Sequence, residues 1–272
     1  MTGTGAQLNT APATVGLKRL RPREDFPWWL VVMLGIIALM GVAVLTNEGY
    51  QEAWENIIPG LQLTLYLTVV SFLVAMPLGL VIGMGRLSRN RVINTISQVY
   101  IEFIRGMPML VWIFVVAFVL TPDFADLIGV KTRDIDEVYR GAAALCLFYA
   151  AFIAEVVRAG VQSVDPGSIE AGYATGLSRW QVTRFITLPQ ALRNALPALG
   201  NDFIALMKDT SLVSILAVNE LTQEARIYLG SSFRTREAYF ILAVLYVALT
   251  LMLSLLLQWW ERRLEIPGRE SD

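Results

Sequence analysis

The 272-residue chain contains no histidine and one cysteine. Without histidine it lacks the commonest general base and the commonest metal ligand. Cys146 has no second cysteine to pair with, which excludes an intrachain disulfide and a thiolate metal cluster. Charge is also scarce, with Asp, Glu, Lys and Arg together making up 17%. No G-x-x-x-x-G-K-[ST] run occurs, so the chain is expected to hydrolyse no ATP through a P-loop. If ATP drives it, another subunit must hold the nucleotide. No internal repeat is visible, direct or inverted. The absent histidine and the lack of a paired acid–base constellation argue against an enzyme.

What fills the chain is apolar residues, 55% of the total. Several runs exceed the 18 or so residues that cross a bilayer. The pattern predicts an all-α integral membrane protein with six spans. Residues 1–27 are Gly/Thr/Ala/Pro-rich and then basic, which predicts a disordered tail. Residues 28–46 form the first span, with Trp28 and Trp29 at an interface. The basic flank lies too late for a cleaved signal, so this span is expected to be retained. Asn47 to Pro59 is an acidic connector. The later spans fall at about 61–85, 106–120, 141–157, 195–216 and 238–260. An acidic loop separates the third from the fourth, and residues 217–237 form a polar connector. Within the second span, Gly79-x-x-x-Gly83 permits close helix contact, although loose packing there is an equal reading. Glu155 and Arg158 are three apart and able to pair on one face.

Basic residues orient this set. With the N-terminus inside, fifteen Lys and Arg lie in cytoplasmic segments, from Lys18 to Arg269. Six lie outside: Lys131, Arg133, Arg140, Arg226, Arg234 and Arg236. The positive-inside rule then places both termini in the cytoplasm, together with the polar loop 161–190.

That loop organises the chain. In DPGSIEAGYATGLSRWQVTRFITLP, residues 165–189, Asp165 caps a helix that Pro166 begins. Ala171, Gly172 and Ala174 keep its surface small. Gly176 ends it, and Ser178 with Gln181 has the capping-box spacing for a second short helix, which Pro189 is expected to close. The result is a cytoplasmic knob that another protein's backbone can approach closely.

The fifth span contains Asn201, Asp202, Lys208, Asp209, Thr210 and Ser211 inside an apolar run. A charge at the bilayer centre is unfavourable by roughly 3 kcal/mol, so such residues face a cavity or a partner. Asp202 and Asp209 share one face, Asn201 and Lys208 a neighbouring one. Two readings stay open: the face lines a substrate pathway, or Lys208 locks to an acid on another span.

Glu170-Ala171-Gly172, then Gly176, then Ile186-Thr187-Leu188-Pro189 resembles the EAA loop of bacterial ABC-importer permeases, with Gly172 where the family usually has alanine. Lys208-Asp209-Thr210-Ser211-Leu212, Arg105-Gly106-Met107-Pro108 and Ala154-Glu155-Val156-Val157-Arg158-Ala159-Gly160 resemble runs of the polar amino-acid permeases. Met107 there replaces a threonine. The resemblance implies a five-helix type-1 permease core over residues 57–263 plus one extra N-terminal span, in a bacterial inner membrane. It also implies two permease subunits packed together, an external substrate-binding protein, and a separate ATP-binding cassette subunit that grips Glu170, Ala171, Gly172, Gly176, Ile186, Leu188 and Pro189. The chain itself would hold no cofactor and touch no nucleic acid, only lipid and the amino acid it passes. The competing reading is an ion-gradient-driven secondary carrier. It would account for the buried charges but not for the knob.

Overall fold

A computed structural model describes residues 28–264. The tail expected over residues 1–27, and Arg269 at the other end, lie outside the described residues. Among those described there are helices and no strand. Four stretches are long and apolar enough to cross a membrane: Glu48–Arg86, Met109–Leu127, Glu137–Gln162 and Thr235–Glu261. Leu30–Thr46 is a shorter apolar helix.

In chain order the helices are α1 (Trp28–Thr46), α2 (Glu48–Ile57), α3 (Gly60–Arg86), α4 (Arg91–Arg105), α5 (Met109–Val115), α6 (Thr121–Leu127), α7 (Glu137–Gln162), α8 (Pro166–Ala174), α9 (Arg179–Val182), α10 (Leu188–Asp209), α11 (Leu221–Ser232) and α12 (Thr235–Leu264). A wide π turn, Val116–Leu120, joins α5 to α6 without a break. A second one, Thr183–Thr187, joins α9 to α10.

α7 is the central helix. Of its most apolar window 56% is buried, against 28% for each of the other three long spans. It packs along α3 on one side and α10 on the other. Small residues set these distances. A β-carbon at Gly79 would fall 2.6 Å from Ile153 Cγ2 and 2.9 Å from the Ala150 carbonyl, and one at Gly83 would fall 2.7 Å from the Ala154 carbonyl. The Gly79/Gly83 pair is therefore the seam between α3 and α7, and the reading of loose packing falls. Trp112 Nε1 donates to the Ala144 carbonyl at 3.0 Å, which fixes α5 on the opposite flank. α1, α2, α11 and α12 build a second cluster around Ile57, Met207, Leu221 and Ile241.

Four expectations change here. Asn47–Pro59 is not an open connector: Asn47 caps α2, whose Ala53 and Ile57 are fully buried. The third membrane helix continues through the π turn to Leu127, so Asp123 and Asp126 belong to the helix and not to the acidic loop. The connector 217–237 contains α11, whose Leu221, Ala225 and Tyr228 are buried. Pro189 closes nothing: it stands in the first turn of α10, directly after the π turn. A proline lacks an N–H and clashes with the carbonyl four residues back. The widened turn shifts that hydrogen-bond register and lets the helix pass through.

Candidate functional site

The knob is built by local hydrogen bonds. Asp165 Oδ2 accepts from the Ser168 backbone N–H at 2.9 Å and its hydroxyl at 3.0 Å, starting α8. α8 ends in paired reverse bonds, Leu177 N–H to Gly172 carbonyl at 3.2 Å and Gly176 N–H to Tyr173 carbonyl at 3.0 Å. This stop needs a left-handed residue, and Gly176 has φ +84°. Ser178 and Gln181 form both halves of the capping box that starts α9.

Gly172 turns inward. A β-carbon there would sit 2.4 Å from Ile186 Cδ1 and 3.3 Å from Val182 Cγ2, so it is the point where the two arms of the knob touch. It is therefore not part of the outer face. Ile186 is half-buried against it. Glu170, Ala171, Gly176, Leu188 and Pro189 are exposed. Beside them stand Tyr173, Trp180 and Phe185, with Trp180 72% and Phe185 66% exposed. Trp180 and Phe185 are not among the residues expected from the sequence to take part in docking. Their signal was available: large apolar residues in a segment too polar to enter a bilayer.

The base of the knob is tied across. Asn194 Nδ2 donates to Ser163 Oγ at 2.9 Å, and Ser163 Oγ donates to the Gly160 carbonyl at 2.9 Å. A β-carbon at Gly160 would meet the Ala191 carbonyl at 2.9 Å, so α7 and α10 are in backbone contact where they leave the knob. Just above, Arg158 Nε donates to Glu155 Oε2 at 2.9 Å, forming the pair the spacing predicts.

α10 carries the polar run. Asp209 Oδ2 accepts from the Tyr149 hydroxyl of α7 at 2.7 Å. Asp202 lies within electrostatic reach of the same tyrosine, and its Oδ2 is buried without a hydrogen-bond partner. Asn201 and Lys208 are exposed on the neighbouring face of the helix. Among the described residues no carboxylate lies within 4.0 Å of Lys208, so none of them forms the lock to another span. Ser211 is half-buried. Thr210 is buried, and its hydroxyl donates to the Met207 carbonyl at 2.7 Å, which commits it to the turn that ends α10. The structure thus joins Asp209 to Tyr149, leaves Asp202 half-buried two turns earlier on α10, and exposes Asn201 and Lys208. A separate apolar groove of about 590 Å³ between α3, α10 and α12, lined by Phe72, Phe203, Leu257 and Trp260 among others, includes none of these polar residues.

Residues 75–266 match the family model described as the binding-protein-dependent transport system inner membrane component. The glutamine transport system permease protein GlnP of Escherichia coli (strain K12) is 37% identical over 210 residues, covering 77% of this chain and 93% of that protein. The L-cystine transport system permease protein TcyL of Bacillus subtilis (strain 168) is 37% identical over 205 residues, covering 75% and 85%. A crystal structure of an amino acid ABC transporter with histidines superposes with TM-score 0.70 at 35% identity, covering 77% of this chain and 94% of the solved one. At 21% identity the MetNI methionine ABC transporter shares the fold, with TM-score 0.63 over 77% and 96%. With its knob, its central α7 and a family match across most of its length, this multi-pass membrane chain belongs to the binding-protein-dependent transport system inner membrane component family.

Proposed function

We propose that this chain is the membrane-spanning subunit of an ATP-driven amino-acid importer. One observation carries the reading. A capped, glycine-cornered helical pair with exposed Glu170, Tyr173, Trp180 and Phe185 projects from the joined ends of α7 and α10. Such a surface suits a protein partner, since aromatic anchors dominate interfaces. In this reading a separate ATP-binding cassette subunit grips the knob through Glu170, Ala171, Gly176, Leu188, Pro189 and the aromatics. Gly172 and Ile186 act behind them, holding the two arms together. A second permease subunit completes the pathway. An external binding protein delivers the amino acid, with the knob and both termini on the cytoplasmic side of a bacterial inner membrane. The nucleotide belongs to the partner; this chain needs no cofactor.

The mechanism follows from rigidity. Closure of the ATP-binding pair draws two knobs together. The close contact of Gly160 with Ala191 is the point at which α10 bears on α7, so the displacement passes along α10 into the membrane and changes its angle to α7. The two permeases then exchange inward for outward access, each state selected by the nucleotide. Asp202 and Asp209 with Tyr149, and the outward Asn201 and Lys208 with Ser211, supply the polar groups of the route. An ion-gradient carrier gives the knob no task and is the weaker reading.

The test is reconstitution of the chain with its ATP-binding subunit and binding protein in proteoliposomes. The expected result is amino-acid uptake that requires ATP and is abolished by Glu170→Lys together with capture of the ATP-binding subunit. Uptake driven by an ion gradient without ATP would overturn the proposal.

A further inference from the structure

Glu220 is fully buried, with 0% of its surface exposed, and no cation pairs with it among the described residues. Its Oε1 accepts from the Gln223 backbone N–H at 2.9 Å, which caps α11. Its Oε2 accepts from the Tyr246 hydroxyl of α12 at 2.8 Å, and the Tyr246 and Thr222 hydroxyls lie 3.2 Å apart. On the other side Thr64 Oγ1 of α3 accepts from the Leu221 N–H at 3.2 Å, and a β-carbon at Gly60 would meet the Glu220 carbonyl carbon at 2.7 Å. The carboxylate joins α11 to α12, and α3 packs against the backbone of the same residue.

The segment that starts here is bracketed by strain. Among the described residues, Ala217 (φ 59°) and Phe233 (φ 57°) are the two non-glycine residues with left-handed backbone, and they flank α11 on either side. Such conformations persist where surroundings over-determine them, and they gather at moving parts. Within α11 the Tyr228 hydroxyl is buried with no hydrogen-bond partner, a group this arrangement leaves unsatisfied. The two attachments of the segment are unequal. At its start is the buried Glu220 junction. Past its end is Arg234 Nη1 on Glu52 Oε2 at 2.7 Å, an exposed pair of little strength.

We propose that Glu220 is a positioning residue for transport. Through Tyr246 it pins the start of α11 to α12, and α11 turns about this point, flexing at Ala217 and Phe233, as α10 and α12 change their angle. The pin lies between the polar run of α10 and the last membrane helix, so it keeps the end of the route in register with α12. This rests on the importer reading.

The experiment uses the complete transporter in proteoliposomes, comparing Tyr246→Phe, Glu220→Ala and Glu220→Gln with the unaltered chain. Tyr246→Phe removes one oxygen and leaves the cap on Gln223, so it reports the pin and not the helix start. Expected is a loss of uptake of at least tenfold for Tyr246→Phe and Glu220→Ala, with ATP hydrolysis falling less than twofold. Glu220→Gln, whose amide can meet both partners, retains more than half of the uptake. A second readout is trypsin cleavage at the exposed Arg226 and Arg234, measured nucleotide-free and trapped with ATP and vanadate. The unaltered transporter should differ between the two states by several-fold, and Tyr246→Phe should not. Uptake and hydrolysis falling in parallel, normal uptake by Tyr246→Phe, or equal cleavage of the unaltered protein in both states would overturn the pin. No ATP-driven uptake by the unaltered complex would remove the importer reading, and the pin's role with it.

Discussion

Tyr149 on α7 donates its hydroxyl to Asp209 on α10 at 2.7 Å, while Asp202, two turns earlier on α10, keeps a buried oxygen with no hydrogen-bond partner among the described residues. The bond crosses the interface between the two helices that emerge from the knob. It therefore sits where a change in their relative angle would be felt. Asp209→Ala is expected to lower amino-acid uptake at least tenfold while leaving capture of the ATP-binding subunit unchanged. Removing one partner of a buried polar pair strands the other, at a cost of about 1–3 kcal/mol. Normal uptake by this variant would take Asp209 off the route.

The exposed aromatics of the knob make a sharper claim than its small residues. Trp180→Ala is expected to weaken binding of the ATP-binding subunit about tenfold or more, since buried aromatic anchors carry more than their share of interface energy. Folding of the permease should be untouched, because Trp180 is 72% exposed. Titration of the purified subunits checks this, and unchanged affinity would place Trp180 outside the interface.

Gly172→Ala is expected to be nearly silent in both docking and stability. The atom in the way is Ile186 Cδ1, the free end of a side chain that can turn aside. Thermal unfolding in detergent should shift by no more than a few degrees. A large drop would show that the two arms of the knob cannot adjust.

Gly79→Leu should behave in the opposite way. Its side chain would enter a seam where the Ala150 carbonyl stands 2.9 Å from the β-carbon position, and backbone cannot turn aside. A destabilisation of about 3 kcal/mol or more is expected, at the upper end for overpacked cores. Loss of the folded, monodisperse protein is the readout.

A pH dependence follows from Glu220. Burial pushes its carboxyl above the usual carboxylate range, against the opposing hydrogen bonds from Gln223, Tyr246 and Thr222. The folded chain therefore holds this proton to higher pH than the unfolded chain does. Its contribution to stability is greatest below the unfolded value, declines as pH rises through that value to the raised one, and is flat above it. Glu220→Gln should remove this slope from melting temperatures measured between pH about 4 and 8. A slope identical in the two proteins would assign the effect to other carboxylates.

Much of the fold was readable because membrane helices advertise themselves. The apolar runs placed α3, α7 and α12, and the caps at Asp165 and Ser178 followed from spacing alone. What escaped notice were features set by partners distant in sequence. α2 and α11 look polar because only one side of each is buried, and Ile57 and Leu221 gain their cover from α12 and α3. Pro189 reads as a stop in any local rule, and only the π turn before it lets the helix continue. Of the site, Asp209 was visible as a charge inside an apolar run, and Glu170 through the resemblance of its loop to a family pattern. Tyr149 was not, since a tyrosine in an apolar span has no local mark until its acid is seen opposite. The inward turn of Gly172 was equally hidden, because smallness suits a docking face and a tight internal contact alike.

The uninterrupted passage from α9 into α10 makes Arg179–Asp209 one continuous helical rod, with a π turn at Thr183–Thr187 and Pro197 within its ladder. It crosses α7 at Ala191, against Gly160. At 1.5 Å per residue the arm on the knob side is about 18 Å long and the arm towards Asp209 about 27 Å. Under the proposed importer reading, that crossing serves as the fulcrum. In the proposed importer, a sideways push on Trp180 would return at Asp209 reversed in direction and about 1.5 times larger, the ratio of the two arms.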